Sequence, residues 1–227
     1  MSSLSWFEPD LLRPAGVRLF WSPCPVGAEA DDRADRRLLA PDEEERAARF
    51  RKPEHARSFR HRRAFLRRVL GQALDRDPAS LALTVGPHGK PALVGAPLWF
   101  NASESQGHTL VGISERRELG VDLELPLDLR DLDRLVRRIF SEDERAVWRG
   151  LADSARPAAF YRVWSRKEAI LKATGEGLTR DPAAFTVGCE ARPREAATIA
   201  LEGQGELVLV DLELPIDAPA ALAVRRA

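Results

Sequence analysis

An α+β fold built from two related halves is what this sequence predicts, on three observations. Its 227 residues, 44% of them hydrophobic, supply enough apolar material for a sizeable core, in one domain or two small ones. Segments of strand length and segments of helical period fall into separate groups rather than alternating one by one. The order strand, helices, strands then occurs twice, the second round starting near Ser114, although no residue-level repeat joins the two rounds.

The elements follow in order. VRLFWSP, residues 17–23, reads as a strand closed by Pro23. Pro41 suits a first helical position, with acids at Asp42 to Glu45 and Arg46 and Arg49 later, as the helix dipole favours. After a break at Pro53, Phe59, Phe65, Leu66, Val69, Leu70 and Leu74 recur at helical spacing, which predicts one long amphipathic helix over 54–74. Its other faces are dense in arginine and read as solvated. SLALTVGPHGKPAL gives a strand, a Gly/Pro turn and a second extended piece; LWFNAS, TLVGIS and LGVDLEL are three more strand-length runs, with ERRE as a hairpin turn between the last two. Ser141 and Glu144 stand at capping-box spacing, so a helix starts after Ser141. A further helix covers 157–174 and stops at Gly175 and Gly177. AFTVG, ATIALEG, ELVLVDLEL and ALAVRR read as closing strands.

Composition excludes several functions. Thirty-five lysines and arginines balance 35 aspartates and glutamates, so the chain is not built to bind nucleic acid or anionic lipid as a whole. The start MSSLSWFEPDLLRP lacks the pattern of a signal peptide, and no run spans a bilayer, so the expected place is the cytoplasm. Cys24 and Cys189 show no CxxC spacing, which suggests neither a disulfide framework nor a zinc site, and the four histidines are too scattered for a metal motif.

Chemistry concentrates in two stretches. In GVDLE the side chains of Asp122 and Glu124 share one face of a strand. Two carboxylates presented together suit Mg2+, which takes few protein ligands and fills its shell with water and phosphate; a solvated strand face is the alternative. In WSRKEAILKATGEGL, a helical wheel puts Phe160, Val163, Trp164, Ile170 and Leu171 in an apolar arc, Glu168 and Lys172 at its edge, and Lys167 inside it. An i,i+4 ion pair of Glu168 with Lys172 and a snorkelling Lys167 would account for these charges. A polar cleft along that helix edge, with Glu168 completing a three-carboxylate metal site and the lysines facing phosphate, accounts for them equally.

GVDLE followed by WSRKEAILKATGEGL resembles the paired signature of the 4′-phosphopantetheinyl transferases, G-[IV]-D-x-E and then [FW]-S-x-K-E-[AS]-x-x-K; GKP at 89–91 and FNAS at 100–103 resemble two further family elements. The resemblance covers about residues 40–187 and points to the monomeric, pseudo-dimeric branch often called Sfp-like. It implies two similar α/β halves related by a pseudo-twofold axis: residues 1–113 contacting the phosphates and adenine of coenzyme A, and 114–227 carrying the metal and catalytic motifs. The implied reaction moves the phosphopantetheine arm of coenzyme A to a serine of an apo acyl or peptidyl carrier protein. By residue, Asp122, Glu124 and Glu168 would hold Mg2+; Glu168 would take the serine proton, Lys172 would stabilise the departing phosphate and Lys167 would assist nearby charge. Arg46, Lys90 and Ser103 would bind coenzyme A, and Glu144 matches a family acid near the metal.

One departure bears on phosphate binding. Where the family reads FN-x-SHS, this chain reads FNASES, so Glu104 replaces a histidine that meets phosphate, and the expectation is that Glu104 turns away or is neutralised by an arginine. The rival readings are a Mg2+-dependent phosphohydrolase or nucleotide-transfer enzyme, a carrier-binding relative without activity, and a nucleic-acid module using the basic segment 55–68.

Overall fold

The computed structural model describes residues 16–24, 32–86, 90–95, 97–129, 131–190 and 196–226. It is a mixed α+β structure with antiparallel sheets. Strands β1 (Val17–Pro23), β4 (Trp99–Ser105) and β5 (His108–Ser114) form one sheet in the order β1-β5-β4. Strands β6 (Leu119–Leu123), β7 (Ala196–Leu201), β8 (Gly205–Asp211) and β9 (Ala220–Arg225) form a second, ordered β6-β9-β8-β7. A short ribbon pairs β2 (Leu83–Val85) with β3 (Pro91–Leu93); the turn residues 87–89 between them, including Gly89, lie outside the described residues. Helices α1 (Arg33–Arg36), α2 (Pro41–Ala48) and α3 (Pro53–Leu74) precede the ribbon, and α4 (Leu132–Ile139), α5 (Glu142–Arg149) and α6 (Arg156–Thr174) lie between β6 and β7.

The apolar face of α3 behaves as its period predicts. Phe65, Leu66, Val69 and Leu70 pack with Phe20, Phe100, Val111 and Ile113 of the first sheet. The arginine faces do not remain in solvent. Arg60 and Arg67 are buried, and Arg67 donates to Glu43 (2.7 Å) and to the carbonyls of Pro78 and Leu81. Arg60 pairs with Glu44 and Asp32, Arg63 with Glu43 and Arg68 with Asp35 (2.6 Å). Guanidinium groups that join α1 and α2 to α3 can be withdrawn from solvent because each is matched by a carboxylate.

A second apolar cluster gathers Ala169, Ile170 and Leu171 of α6 with Leu207, Leu209, Ala221 and Ala223 of the second sheet. A third joins the two sheets, with Val17, Leu19 and Leu110 from one and Leu119, Val121, Leu123, Leu222 and Val224 from the other. Beside it, β4 reaches β6 through side chains: Asn101 Oδ1, Ser103 Oγ and Ser105 Oγ accept from the backbone N–H groups of Val121, Leu123 and Leu125 at 2.8, 3.3 and 3.0 Å. Polar side chains two residues apart on one strand thus replace the backbone ladder of an ordinary strand pair.

Two expected elements are different. The hairpin is β4–β5, turned by Gln106 and Gly107 with φ of 46° and 82°, both left-handed as a two-residue turn requires. ERRE instead carries the chain from one sheet to the other, since β5 pairs with β1 and β4 while β6 pairs with β9. AFTVG is not a strand, because its backbone groups are bound by side chains: Glu144 Oε1 accepts from Val187 N (2.6 Å) and Gly188 N, and Lys167 donates to Phe185 O.

Candidate active site

β6 and α6 meet because one residue between them has no side chain. A Cβ on Gly120 would collide with the carbonyl of Ala169 and the amide of Ala173, and would stand 2.8 Å from Lys172 Cβ. Gly120 therefore lets the helix lie directly on the strand, and the pleat then turns Asp122 to the same side. Gly120→Ala is expected to push α6 outward and lower stability by roughly 1–3 kcal/mol, as overpacking does, with a larger fall in any activity that needs the two elements in register. Chemical denaturation of the variant tests this.

Asp122 is buried and its oxygens are unequal. Oδ1 accepts from Lys172 Nζ at 2.6 Å and from Ser103 Oγ at 2.9 Å; Oδ2 is buried without a hydrogen-bond partner. Lys172 also donates to Ser103 Oγ (3.2 Å) and to the Val121 carbonyl (3.3 Å). Glu124 follows just beyond the strand, and its Oε1 accepts from the indole N–H of Trp164 at 2.8 Å. That indole was absent from the sequence-derived site residues; its place one turn before Glu168 in the motif was the available signal.

The carboxylates feel one another. Glu124 is pushed up to about 7, first by burial and then by the charge of Asp122, with Glu168 adding to the rise and the Trp164 N–H and Lys172 opposing it. Burial also raises Asp122 and Glu168; Lys172 pulls both down, and Asp122 pushes Glu168 further up. Three acids disfavoured as anions, one with an unpartnered buried oxygen, make a donor set that a divalent cation fits by charge. Among the described residues, however, no three His, Cys, Asp or Glu side chains stand in a metal-holding cluster; Lys172 and Trp164 each engage one oxygen of Asp122 and Glu124.

A pH effect follows from these shifts. Glu124 has an ordinary value of 4.5 and a folded value near 7, so between them the folded chain holds a proton that the unfolded chain releases. Stability from this group therefore falls as pH rises through that window. Lowered acids such as Glu43 and Asp35 act oppositely, but below their ordinary values. In chelator, the melting temperature is expected to drop from about pH 5 to about pH 7.5, and Glu124→Gln should flatten the drop. A wild-type profile that rises over this range would contradict the assignment.

The other sequence-predicted residues are placed less uniformly. Lys167 is not brought to these carboxylates. It is 0% exposed, its ammonium lies 2.8 Å from Glu144 Oε2, and it donates to the carbonyls of Pro182 (2.7 Å) and Phe185 (2.5 Å) over the Phe185 ring. Its stem does not snorkel; it ends at a buried partner instead. Glu144 closes the capping box with Ser141 and is wholly engaged by that lysine and the 187–188 backbone, so it too stands apart from the carboxylates. Ser103 is buried, with its hydroxyl bonded to Asp122, Leu123 N and Lys172 rather than presented outward. Lys90 donates to the Lys172 carbonyl at 2.8 Å and the Leu119 carbonyl at 3.4 Å, which caps the end of α6 beside the site. Arg46 is exposed on α2, its guanidinium 5.3 Å from the Phe59 ring centre, with Arg62 at 5.4 Å on the same ring. Glu104 is neutralised as expected: Arg62 Nη1 lies 2.9 Å from its Oε2.

Known proteins resemble the chain over the region that carries these residues. The profile of the 4′-phosphopantetheinyl transferase superfamily matches residues 118–222, from just before β6 into β9. A 4′-phosphopantetheinyl transferase of Bacillus subtilis is 30% identical over 164 residues, 66% of this chain and 72% of that protein. The chain belongs to the 4′-phosphopantetheinyl transferase superfamily. Within it, the transferase HetI of Nostoc sp. is 38% identical over 146 residues, 63% of this chain and 62% of HetI. A Synechocystis sp. relative is 37% identical over 145 residues, 63% of this chain and 59% of its own. The match to these two superfamily members thus spans about three fifths of their length.

Proposed function

We propose that this superfamily member transfers the 4′-phosphopantetheine arm of coenzyme A to a serine of an apo acyl or peptidyl carrier protein. The observation that carries the reading is the Asp122 carboxylate, with Lys172 at 2.6 Å from one oxygen and the other oxygen buried and unpartnered, flanked by Glu124 and Glu168 with raised proton affinity. Such a group of acids beside one ammonium is suited to a metal-assisted reaction on a pyrophosphate.

Asp122, Glu124 and Glu168 would hold Mg2+, which supplies neutralisation of the coenzyme A pyrophosphate. Glu168, whose raised affinity for a proton suits a base, accepts the proton of the carrier serine. The serine oxygen forms a bond to the β-phosphorus as the bond from that phosphorus to the bridging oxygen breaks, and adenosine 3′,5′-bisphosphate leaves. Lys172 meets the negative charge that grows on the departing phosphate. Trp164 and Ser103 hold Glu124 and Asp122 in place, and Lys90 fixes the last turn of α6, on which Lys172 stands. Arg46, the exposed member of the basic groups near Phe59, is assigned to a coenzyme A phosphate. Lys167 is reassigned from charge assistance to anchoring the helix that carries Glu168.

The same reading includes two halves, 1–113 and 114–227, related by a pseudo-twofold axis in a monomer. Supporting it, among the described residues the first strand of each half, β1 or β6, pairs with the last, β5 or β9. We also place the protein in the cytoplasm; among the described residues no helix is long and apolar enough to cross a membrane. The test is release of adenosine 3′,5′-bisphosphate from coenzyme A, followed chromatographically with and without apo carrier. Release that matches carrier consumed one for one supports transfer; release without carrier would instead mark a phosphohydrolase.

A further inference from the structure

Strand β1 turns its two faces to different partners. Leu19 and Trp21 pack into the cluster between the sheets, whereas Phe20 packs against α3. Ser22 follows Phe20 on the α3 side. There its Oγ stands 3.1 Å from Nε2 of His61, and Nδ1 of the same ring stands 3.2 Å from Oδ2 of Asp35 on α1. Arg68, two turns past His61 on α3, donates to the other oxygen of Asp35 at 2.6 Å. A serine, an imidazole and a carboxylate from three separate elements are thus joined in that order, and none of them is among the groups assigned to phosphopantetheine transfer.

The bonds fix the proton positions. Burial opposes charge on Asp35, but the bonds from His61 and Arg68 outweigh it and hold the carboxyl below its ordinary range. An ionised Asp35 can only accept, so Nδ1 carries the ring proton and Nε2 keeps a lone pair toward the Ser22 hydroxyl. The other acceptor near that hydroxyl, the Pro23 carbonyl, is farther away at 3.4 Å. His61 lies flat along Phe65, with 5° between the ring planes and 6.5 Å between their centres, which limits rotation of the imidazole. Ser22 and His61 are both half-buried rather than sealed in the core. Arg57, one turn before His61, brings positive charge to Cys24, two residues past Ser22.

We propose that Ser22, His61 and Asp35 form a second catalytic site, a serine nucleophile with its general base, that hydrolyses short-chain acyl esters. Ser22 Oγ forms a bond to the ester carbonyl carbon as its proton passes to His61 Nε2. The bond from that carbon to the leaving oxygen breaks, and Nε2 returns the proton to the departing alkoxide. Water then attacks the acyl-serine, Nε2 takes one of its protons and gives it to Ser22 Oγ, and the carboxylic acid leaves. Asp35 and Arg68 are positioning residues, and Arg57 supplies positive charge for the carbonyl oxygen. The acyl group is a short one because the core beneath Ser22 is filled, Phe20 being 1% and Phe65 4% exposed.

Hydrolysis of p-nitrophenyl esters by the full chain, with intact mass and peptide mapping after treatment with a fluorophosphonate, tests this. The wild-type chain is expected to take up one phosphonyl group, on Ser22, and to prefer the acetate ester to the octanoate. S22A and H61A should each lower acetate hydrolysis by at least about a hundredfold, and S22A should remove the label. D35N should lower kcat by about tenfold or more with KM unchanged, the mark of lost positioning rather than lost binding. Thermal melting confirms that each variant is folded, and labelling of the wild-type chain decides the question even where D35N, which weakens the Arg68 pair, unfolds. A wild-type chain that stays unlabelled, that is labelled on Cys24 or elsewhere instead, or whose hydrolysis survives S22A would overturn the site and leave the three side chains as a tie between α1, α3 and β1. Preference for the octanoate would overturn the short-chain assignment.

Discussion

Glu168→Gln is expected to lower phosphopantetheine transfer by at least about a hundredfold while leaving the fold intact, a loss typical of removing a group that acts on developing charge. The two effects separate for a physical reason. Glu168 is raised by its own burial and by repulsion from Asp122, so ionising it works against the folded state. A neutral isostere of the same volume relieves that penalty, and the melting temperature at neutral pH should hold or rise. Asp122→Asn is a different case, because it weakens the bond to Lys172 and leaves that ammonium with Ser103 and a carbonyl. It should lose activity and stability together. Matched melting curves and initial rates for the two variants distinguish a residue that acts on the reaction from one that also holds the site. Near wild-type turnover by Glu168→Gln would remove it from the reaction.

Lys167→Met is expected to cost about 3–5 kcal/mol of stability, the range for removing one partner of a buried ion pair. Lys167 and Glu144 are 0% and 1% exposed, so little water can replace the lost charge. Glu144 would keep the amides of Ser141, Val187 and Gly188, which places the cost toward the lower end, but the carbonyls of Pro182 and Phe185 lose their donor. The segment packed under α6 would loosen, and α6 carries Glu168 at the next position. The variant should therefore be less stable and also less active at temperatures where it is still folded. Urea denaturation gives the first quantity; a loss below about 1 kcal/mol would mean that the pair is not the anchor described.

The sequence showed best what is local and periodic. The pleat of GVDLE put Asp122 and Glu124 on one face, and both meet groups on α6 in the structure, Lys172 and Trp164. The capping box at Ser141 and the extents of α3 and α6 were equally legible, because caps and apolar period lie within the segments themselves. The failures are long-range. The wheel puts Lys167 in the buried arc, but no spacing shows that Glu144 is waiting for it, so the motif alone points its charge toward a phosphate cleft. The arginines of α3 looked solvated because their acids stand on separate helices. AFTVG has a strand-like composition, yet its amides belong to Glu144. Gln106 turns the true hairpin in a left-handed conformation that glutamine seldom signals, whereas ERRE has charges of a turn but joins strands of different sheets.

The measurement that tests the central claim most directly is the intact mass of an apo carrier protein incubated with this chain, coenzyme A and Mg2+. The account predicts a gain of one phosphopantetheine group on the carrier serine, abolished by chelator, by Glu168→Gln and by replacing that serine with alanine. An unchanged mass across acyl and peptidyl carriers, from a folded chain shown to bind coenzyme A, would contradict it.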